Sequence, residues 1–218
     1  MSEWRVFVYG ASGHGKVVLD VLRAAGVPRL TGFVDDGEAR HGAMILGLPV
    51  MGDGAWLARQ VDERGEGVAI ALGIGDNQAR HLVSERCRAA GIPMLAAAVH
   101  PRAAVAGSAS AGVGTVVMAG AIVNPDARIG EGVIVNSGAV IEHDCVLGDF
   151  AHISPNAALG GGVSVGAFTH VGLGASVLPG VRIGARAIVG AGATVTRDLD
   201  DAVVAVGVPA RVIRRLDG

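Results

Sequence analysis

Residues 133–172 read VIVNSGAVIEHDCVLGDFAHISPNAALGGGVSVGAFTHVG. In this stretch Val135, Ile141, Leu147, Ile153, Leu159, Val165 and Val171 recur at every sixth position. The register runs outward in both directions without a slip. From Val105 to Val195, fifteen of the sixteen positions are Val, Ile or Leu, and the exception is Ala111. Eight of the residues directly after them are Gly. Four residues after the aliphatic, the side chain is usually small, as at Ala121, Ala139, Cys145 and Ala157. A hexad held this long marks a β-helix. Each hexad supplies one short strand and a corner, and three hexads make a triangular coil of 18 residues. The aliphatic faces the shaft, and the small residue is expected to fit the tight corner. Sixteen hexads give about five coils.

Composition agrees with such a thin-walled core. Half of the 218 residues are hydrophobic, yet only 3% are aromatic and 35 are Gly. The core must therefore come from Val, Ile, Leu and Ala, each contributing ~1.5–3 kcal/mol when a large aliphatic is fully buried. A net charge of −2 with mixed signs gives no basic run for nucleic acid or anionic lipid. Cys87 and Cys145 make no disulfide framework. No apolar stretch approaches ~18 residues, and the first residues read as a strand rather than a signal peptide. The expectation is a cytoplasmic protein that binds neither nucleic acid nor membrane.

The first part of the chain has a different grammar. Arg5–Tyr9 reads as a strand, Lys16–Ala25 as a helix, Leu30–Asp35 and Val68–Leu72 as strands, and Gln78–Ala90 as a helix. Gly47–Asp53 is compatible with one more short strand. This β-α-β order predicts a small parallel, Rossmann-like sheet over residues 1–98, followed by the β-helix over 99–218. Gly10-Ala11-Ser12-Gly13-His14-Gly15 joins a strand to a helix, where backbone N–H groups can meet a phosphate. Its spacing is GxxGxG, so a dinucleotide is not indicated. Asp35 and Asp36 end the second strand and are candidates for bonding a ribose or base, the alternative being an ordinary solvated turn. Asn77 closes a third strand-end loop, Gly73–Asn77, at the same expected crevice.

An 18-residue coil also turns sequence distance into stacking. The residue one coil beyond His143 is Gly161, so a bare backbone N–H lies beside an imidazole. A base next to an oxyanion donor is what acyl transfer requires. Asn136, one hexad before Glu142, is expected to reach the same region. His152 and His170 are also one coil apart and should stack, with the structural reading preferred for His170. Cys145 falls on an inward position and reads as core. The histidines offer no close HxxxxH pair, so no metal is expected.

YGASGHG, FVDD, GIGDNQAR, IEHDCVLGDFAHISPNAALGGGVSVG and GVPARVIR together resemble the nucleotide-sugar N-acetyltransferases of the bacillosamine and perosamine pathways. They also resemble sialic-acid O-acetyltransferases of the same superfamily. The resemblance covers nearly the whole chain. It implies a left-handed winding, against the usual right-handed rule for parallel crossovers, and a homotrimer of three prisms. It places the general base on His143, a tuning acid on Asp144, and further roles on Asn136 and His152. It places the oxyanion N–H on Gly161, and acetyl-CoA near Gly190, Ala191 and Arg211. It gives the nucleotide sugar to the N-terminal domain, through Gly13, His14, Asp35 and Asp36. Many relatives have Glu at the position of Asp144, so the reach of the shorter acid, or a substitute such as Glu142, is left to the structure. The implied activity is acetyl-CoA-dependent N-acetylation of a 4-amino group on a UDP- or GDP-linked sugar. O-acetylation of a sialic acid and a non-catalytic trimeric nucleotide-binding scaffold are the competing readings.

Overall fold

The computed structural model describes residues 4–61 and 67–216. The chain divides into two compact units, Met1–Ala98 and Val99–Gly218.

In the first unit β1 (Arg5–Tyr9) is the central strand. The helix α1 (Gly13–Ala24) follows it, then β2 (Leu30–Val34), a hairpin of β3 (Met44–Ile45) and β4 (Leu48–Pro49), the helix α2 (Gly54–Arg59), β5 (Val68–Leu72) and the helix α3 (Asn77–Ala89). The sheet order is β2-β1-β5, all parallel, with Tyr9 level with Val34 and Leu72. All three strands thus end at one edge. α1 begins three residues earlier than the sequence pattern predicts, so Gly13 and His14 are helical. α2 carried too few residues to be seen as a period. The close approach of α1 to the β1 loop requires glycine: a Cβ on Gly15 would lie 1.9 Å from the Gly10 carbonyl oxygen. Val18, Leu19, Val21 and Leu22 form the buried stripe of α1.

The second unit is a left-handed parallel β-helix of about six coils. Its three faces are sheets of six, five and eight strands. One runs from Ala104–Val105 through Val140–Ile141 to Thr194–Val195. The second runs from Ser110–Ala111 through Val146–Leu147 to Arg182–Ile183. The third runs from Ala98–Val99 through His152–Ile153 to an antiparallel closing strand, Arg211–Arg215. Strands outside the sixteen hexads, Ala98–Val99 and Val203–Val206, raise the coil number above the expected five.

The small residue of each hexad does not occupy the corner. It lies directly before the next strand and points inward, and Ala121, Ala127, Ala139, Ala151 and Ala157 are fully buried beside the aliphatics. The corner belongs to the residue before it. From Gly114 to Gly192 every sixth residue is left-handed, with φ between 55° and 73°. Eight of these fourteen are Gly; the others are Asp126, Asp144, Phe150, Asn156, Phe168 and Arg186. For a residue with a bulky side chain this conformation costs ~1–2 kcal/mol, so Phe150 and Phe168 hold it against a penalty and stack on each other at 5.7 Å.

The shaft is filled by one aliphatic per strand with no aromatic reserve. Leu159 is 1% exposed and lies within this cluster. Leu159→Ala is expected to cost ~2–5 kcal/mol, read as a lower midpoint in urea unfolding.

Candidate active site

Glu142, His143 and Asp144 form the corner between Val140–Ile141 and Val146–Leu147. On a straight strand His143 and Asp144 would point to opposite faces. Asp144 is one of the left-handed corner residues, with φ 60°. That bend brings the two side chains together, and His143 Nδ1 lies 2.7 Å from Asp144 Oδ2. The shorter acid therefore reaches the ring from its own chain. Glu142 binds the backbone instead, where its Oε2 accepts the His143 N–H at 3.2 Å. The Asp144 bond holds the imidazole pKa above its usual value, outweighing a small desolvation, with the Asp144 and Glu142 charges adding in the same direction.

One coil on, Gly161 meets the ring. A Cβ built on Gly161 would lie 2.6 Å from both Cε1 and Nε2 of His143. The Nε2 edge of the imidazole thus rests over the Gly161 α-carbon, a place only glycine permits. The corner column is Pro125, His143, Gly161 and Pro179, tied by Asp144 N to Pro125 O at 3.1 Å, Gly162 N to His143 O at 2.8 Å and Gly180 N to Gly161 O at 2.9 Å. The two prolines have no N–H, and that of His143 is taken by Glu142. Among the described residues, no backbone carbonyl is paired with the Gly161 N–H. Cys145 is fully buried and donates from Sγ to Gly160 O at 3.3 Å. The inward Thr115 and Thr169 make the same bond, each to the carbonyl fifteen residues on. Cys145 is a core residue.

Asn136 is not at this corner. It lies on the next edge of the prism, between Ile134–Val135 and Val140–Ile141, because one hexad turns the chain by one face. Its Nδ2 is 3.1 Å from His152 Nε2. Gly190 stands three coils beyond Asn136 on the same edge, followed by Ala191. His152 is buried, and its ring stacks on His170 with centroids 4.7 Å apart. Arg211 opens the exposed closing strand, and its Nη1 donates to Ala210 O. The residues expected to act together therefore fall into two groups: His143, Asp144 and Gly161 on one edge; Asn136, His152, Gly190 and Ala191 on another.

In the N-terminal unit, a cavity of about 710 Å³ opens at the ends of the three strands, lined by Tyr9, Gly10, Ser12, Asp35, Asp36 and Arg86 among others. Asp35 accepts from Ala11 N–H at 2.8 Å, Gly37 N–H at 2.9 Å and Arg40 at 2.9 Å. Asp36 accepts from the Tyr9 hydroxyl at 2.6 Å and from Arg86 at 2.7 Å. Burial alone would raise both carboxyl pKa values, but these bonds bring each below the ordinary value. The Tyr9 hydroxyl moves upward, chiefly through burial and then through the Asp36 bond, so it remains a donor. Both aspartates line the cavity while fastening its walls.

Gly13, His14 and Asn77 are not among the lining residues, contrary to expectation. The early start of α1 withdraws Gly13 and His14. His14 lies against Gly75, and burial, followed by the nearby Arg80 charge, lowers its pKa to about 4. The Asn77 side-chain oxygen accepts from Arg80. Sequence reasoning missed Tyr9, Arg40, Arg80 and Arg86. Tyr9, at the strand end directly before the glycine loop, carried a usable signal.

Among the described residues, no group of three or more His, Cys, Asp or Glu side chains is placed to hold a metal ion. Nor is any described helix long and apolar enough to cross a membrane.

The chain is an acyltransferase, and its left-handed β-helix carries an imidazole oriented over a side-chain-free glycine. Residues 5–87 match the family model described as the PglD N-terminal domain. The chain is 44% identical to PerB from Caulobacter crescentus, solved with CoA and GDP-perosamine; the match covers 96% of this chain and 97% of that one, at a TM-score of 0.89. It is 34% identical to the acetyltransferase domain of PglB from Neisseria gonorrhoeae, solved with acetyl coenzyme A, covering 96% and 98% at a TM-score of 0.87. WeeI from Acinetobacter baumannii is 25% identical over 96% of this chain and 100% of that one, at a TM-score of 0.86. Comparison with curated proteins finds no match. The chain belongs to the nucleotide-sugar N-acetyltransferases of the perosamine and bacillosamine type.

A negative charge beside an imidazole favours its protonated form. The His143 ring is therefore expected to titrate above ~6.5, and Asp144→Asn should move that titration downward. Histidine NMR titration of both proteins checks the sign; an unchanged value in the variant refutes the assignment.

Proposed function

We propose that the chain transfers the acetyl group of acetyl-CoA to the 4-amino group of a nucleotide-linked amino-deoxy sugar. The observation that carries this reading is the imidazole held by Asp144 at 2.7 Å over the side-chain-free Gly161. Transfer is direct, in a ternary complex. The sugar amine attacks the thioester carbonyl carbon, and His143 Nε2 takes the amine proton. The Gly161 N–H bonds the tetrahedral oxyanion. As the C–S bond breaks, the imidazolium returns the proton to the CoA thiolate. No acyl-enzyme forms, since Cys145 is sealed in the core.

GDP is the favoured carrier, because PerB, at 44% identity, holds GDP-perosamine. The cavity at the strand ends takes the nucleotide, with Asp35 and Asp36 as its walls and Gly13, His14 and Asn77 behind them in the first turns of α1 and α3. CoA lies along the prism near His152, Gly190 and Ala191, with Arg211 beyond them. The His143 side chain is 62% exposed in a single chain, and a base needs a drier setting than that. A homotrimer, in which a second prism covers the ring, supplies it. The cytoplasm, where acetyl-CoA is made, is the proposed compartment. Variants of the Caulobacter enzyme with one histidine replaced by Asn or Ala are themselves complexed with CoA and GDP-perosamine. They support a base that is dispensable for binding.

His143→Ala is expected to lower kcat by about 100-fold or more while CoA binding stays within about threefold. Gly161→Ala leaves backbone conformation accessible but forces the ring aside, and should lower kcat on the order of 100-fold with little change in urea midpoint. Both are read by thiol release from acetyl-CoA with GDP-, UDP- and dTDP-4-amino sugars and with sialic acid. Turnover only with sialic acid would establish the O-acetyltransferase instead. Nucleotide binding without release from any acceptor would establish the scaffold.

A further inference from the structure

The His152 face carries a repeated polar unit. Asn136 bonds the ring sixteen residues ahead, His152, at 3.1 Å. One coil later Ser154 bonds the ring sixteen residues ahead, His170, with Oγ to Nε2 at 2.8 Å. The two imidazoles are level in the strand register and nearly parallel, 9° apart with centroids at 4.7 Å. His152 and Ser154 are buried.

The direction of the Asn136 bond is fixed by chemistry. Its Oδ1 accepts the Ser137 backbone N–H at 2.8 Å. A backbone N–H can only donate, so the oxygen must face it and the amide NH₂ must face His152. Nε2 of His152 therefore accepts, and the proton of a neutral ring sits on Nδ1. In free imidazole side chains the opposite, Nε2–H tautomer is the commoner one. Rotation of the ring is opposed separately, by the parallel face of His170.

We propose that Asn136 and His170 are positioning residues: Asn136 sets His152 as the Nδ1–H tautomer, and His170 fixes the plane of that ring for acyl-CoA. The second half rests on the placement of CoA at this edge given above. Asn136 thus acts through His152 rather than at His143, and His170 takes a role beyond packing. Ser154 holds His170 in turn, so the unit is a two-tier stack anchored at both levels by neutral groups.

The test combines a direct readout of the proton with kinetics. Long-range ¹H–¹⁵N spectra of histidine-labelled protein should show His152 protonated on Nδ1 in the wild type and shifted toward Nε2–H in Asn136→Ala. His170→Ala should raise KM for acetyl-CoA about tenfold, with kcat within about threefold. His170→Phe keeps a flat ring and should return KM to within about twofold of wild type, which loss of fold would not do. A wild-type His152 protonated on Nε2 overturns the tautomer assignment, whatever the kinetics. An unchanged KM in His170→Ala, or a His170→Phe no better than His170→Ala, overturns the positioning role. His152→Ala with normal KM overturns the placement of CoA at this edge, and with it the role of His170. An intact loss of turnover in His143→Ala would then leave the transferase reading standing.

Discussion

Backbone hydrogen bonds between successive coils hold the candidate site together. Gly162 N–H donates to His143 O at 2.8 Å, and Gly180 N–H to Gly161 O at 2.9 Å. Bonds of this kind fix the separation of stacked corners at one strand spacing, ~4.8 Å. The His143 ring turns over the next corner, where a Cβ on Gly161 would lie 2.6 Å from it. Gly161 resolves the conflict, and its N–H is left beside the ring as a result. Base and donor are thus set by a single spacing, with no loop required to bring them together.

The same spacing separates chemistry by edge. A hexad moves the chain from one face to the next, whereas three hexads return it to the same edge. Residues 18 apart become neighbours; residues six or seven apart do not. His143 and Gly161 therefore meet, while Asn136 and His143 stand on different edges of one prism.

The β-helix and the His143–Gly161 pair were legible because a fixed period converts sequence distance directly into space. The reach of Asp144 was not, since it depends on a left-handed φ at a position that is Gly in most coils. The cavity at the strand ends of the first unit was harder still. Its bonds join residues 24 apart, as in Ala11–Asp35, and 50 apart, as in Arg86–Asp36. No period relates such residues, and only the folded sheet edge brings them together. The glycine loop pointed to the edge where the cavity opens, but the early start of α1 changed which of its residues face that cavity.

The uninterrupted run of left-handed corners from Gly114 to Gly192 also constrains how genes for this half can change in length. Adding or losing a single codon would, unless one corner absorbed it, exchange interior for exterior along the strands that follow. A change of six codons keeps inside and outside but rotates all later residues by one face, parting His143 from Gly161 if it falls between them. Only steps of eighteen codons preserve both core and column. The prism can grow or shrink by whole coils at its ends, while the interval between the imidazole and its glycine is held to one fixed length.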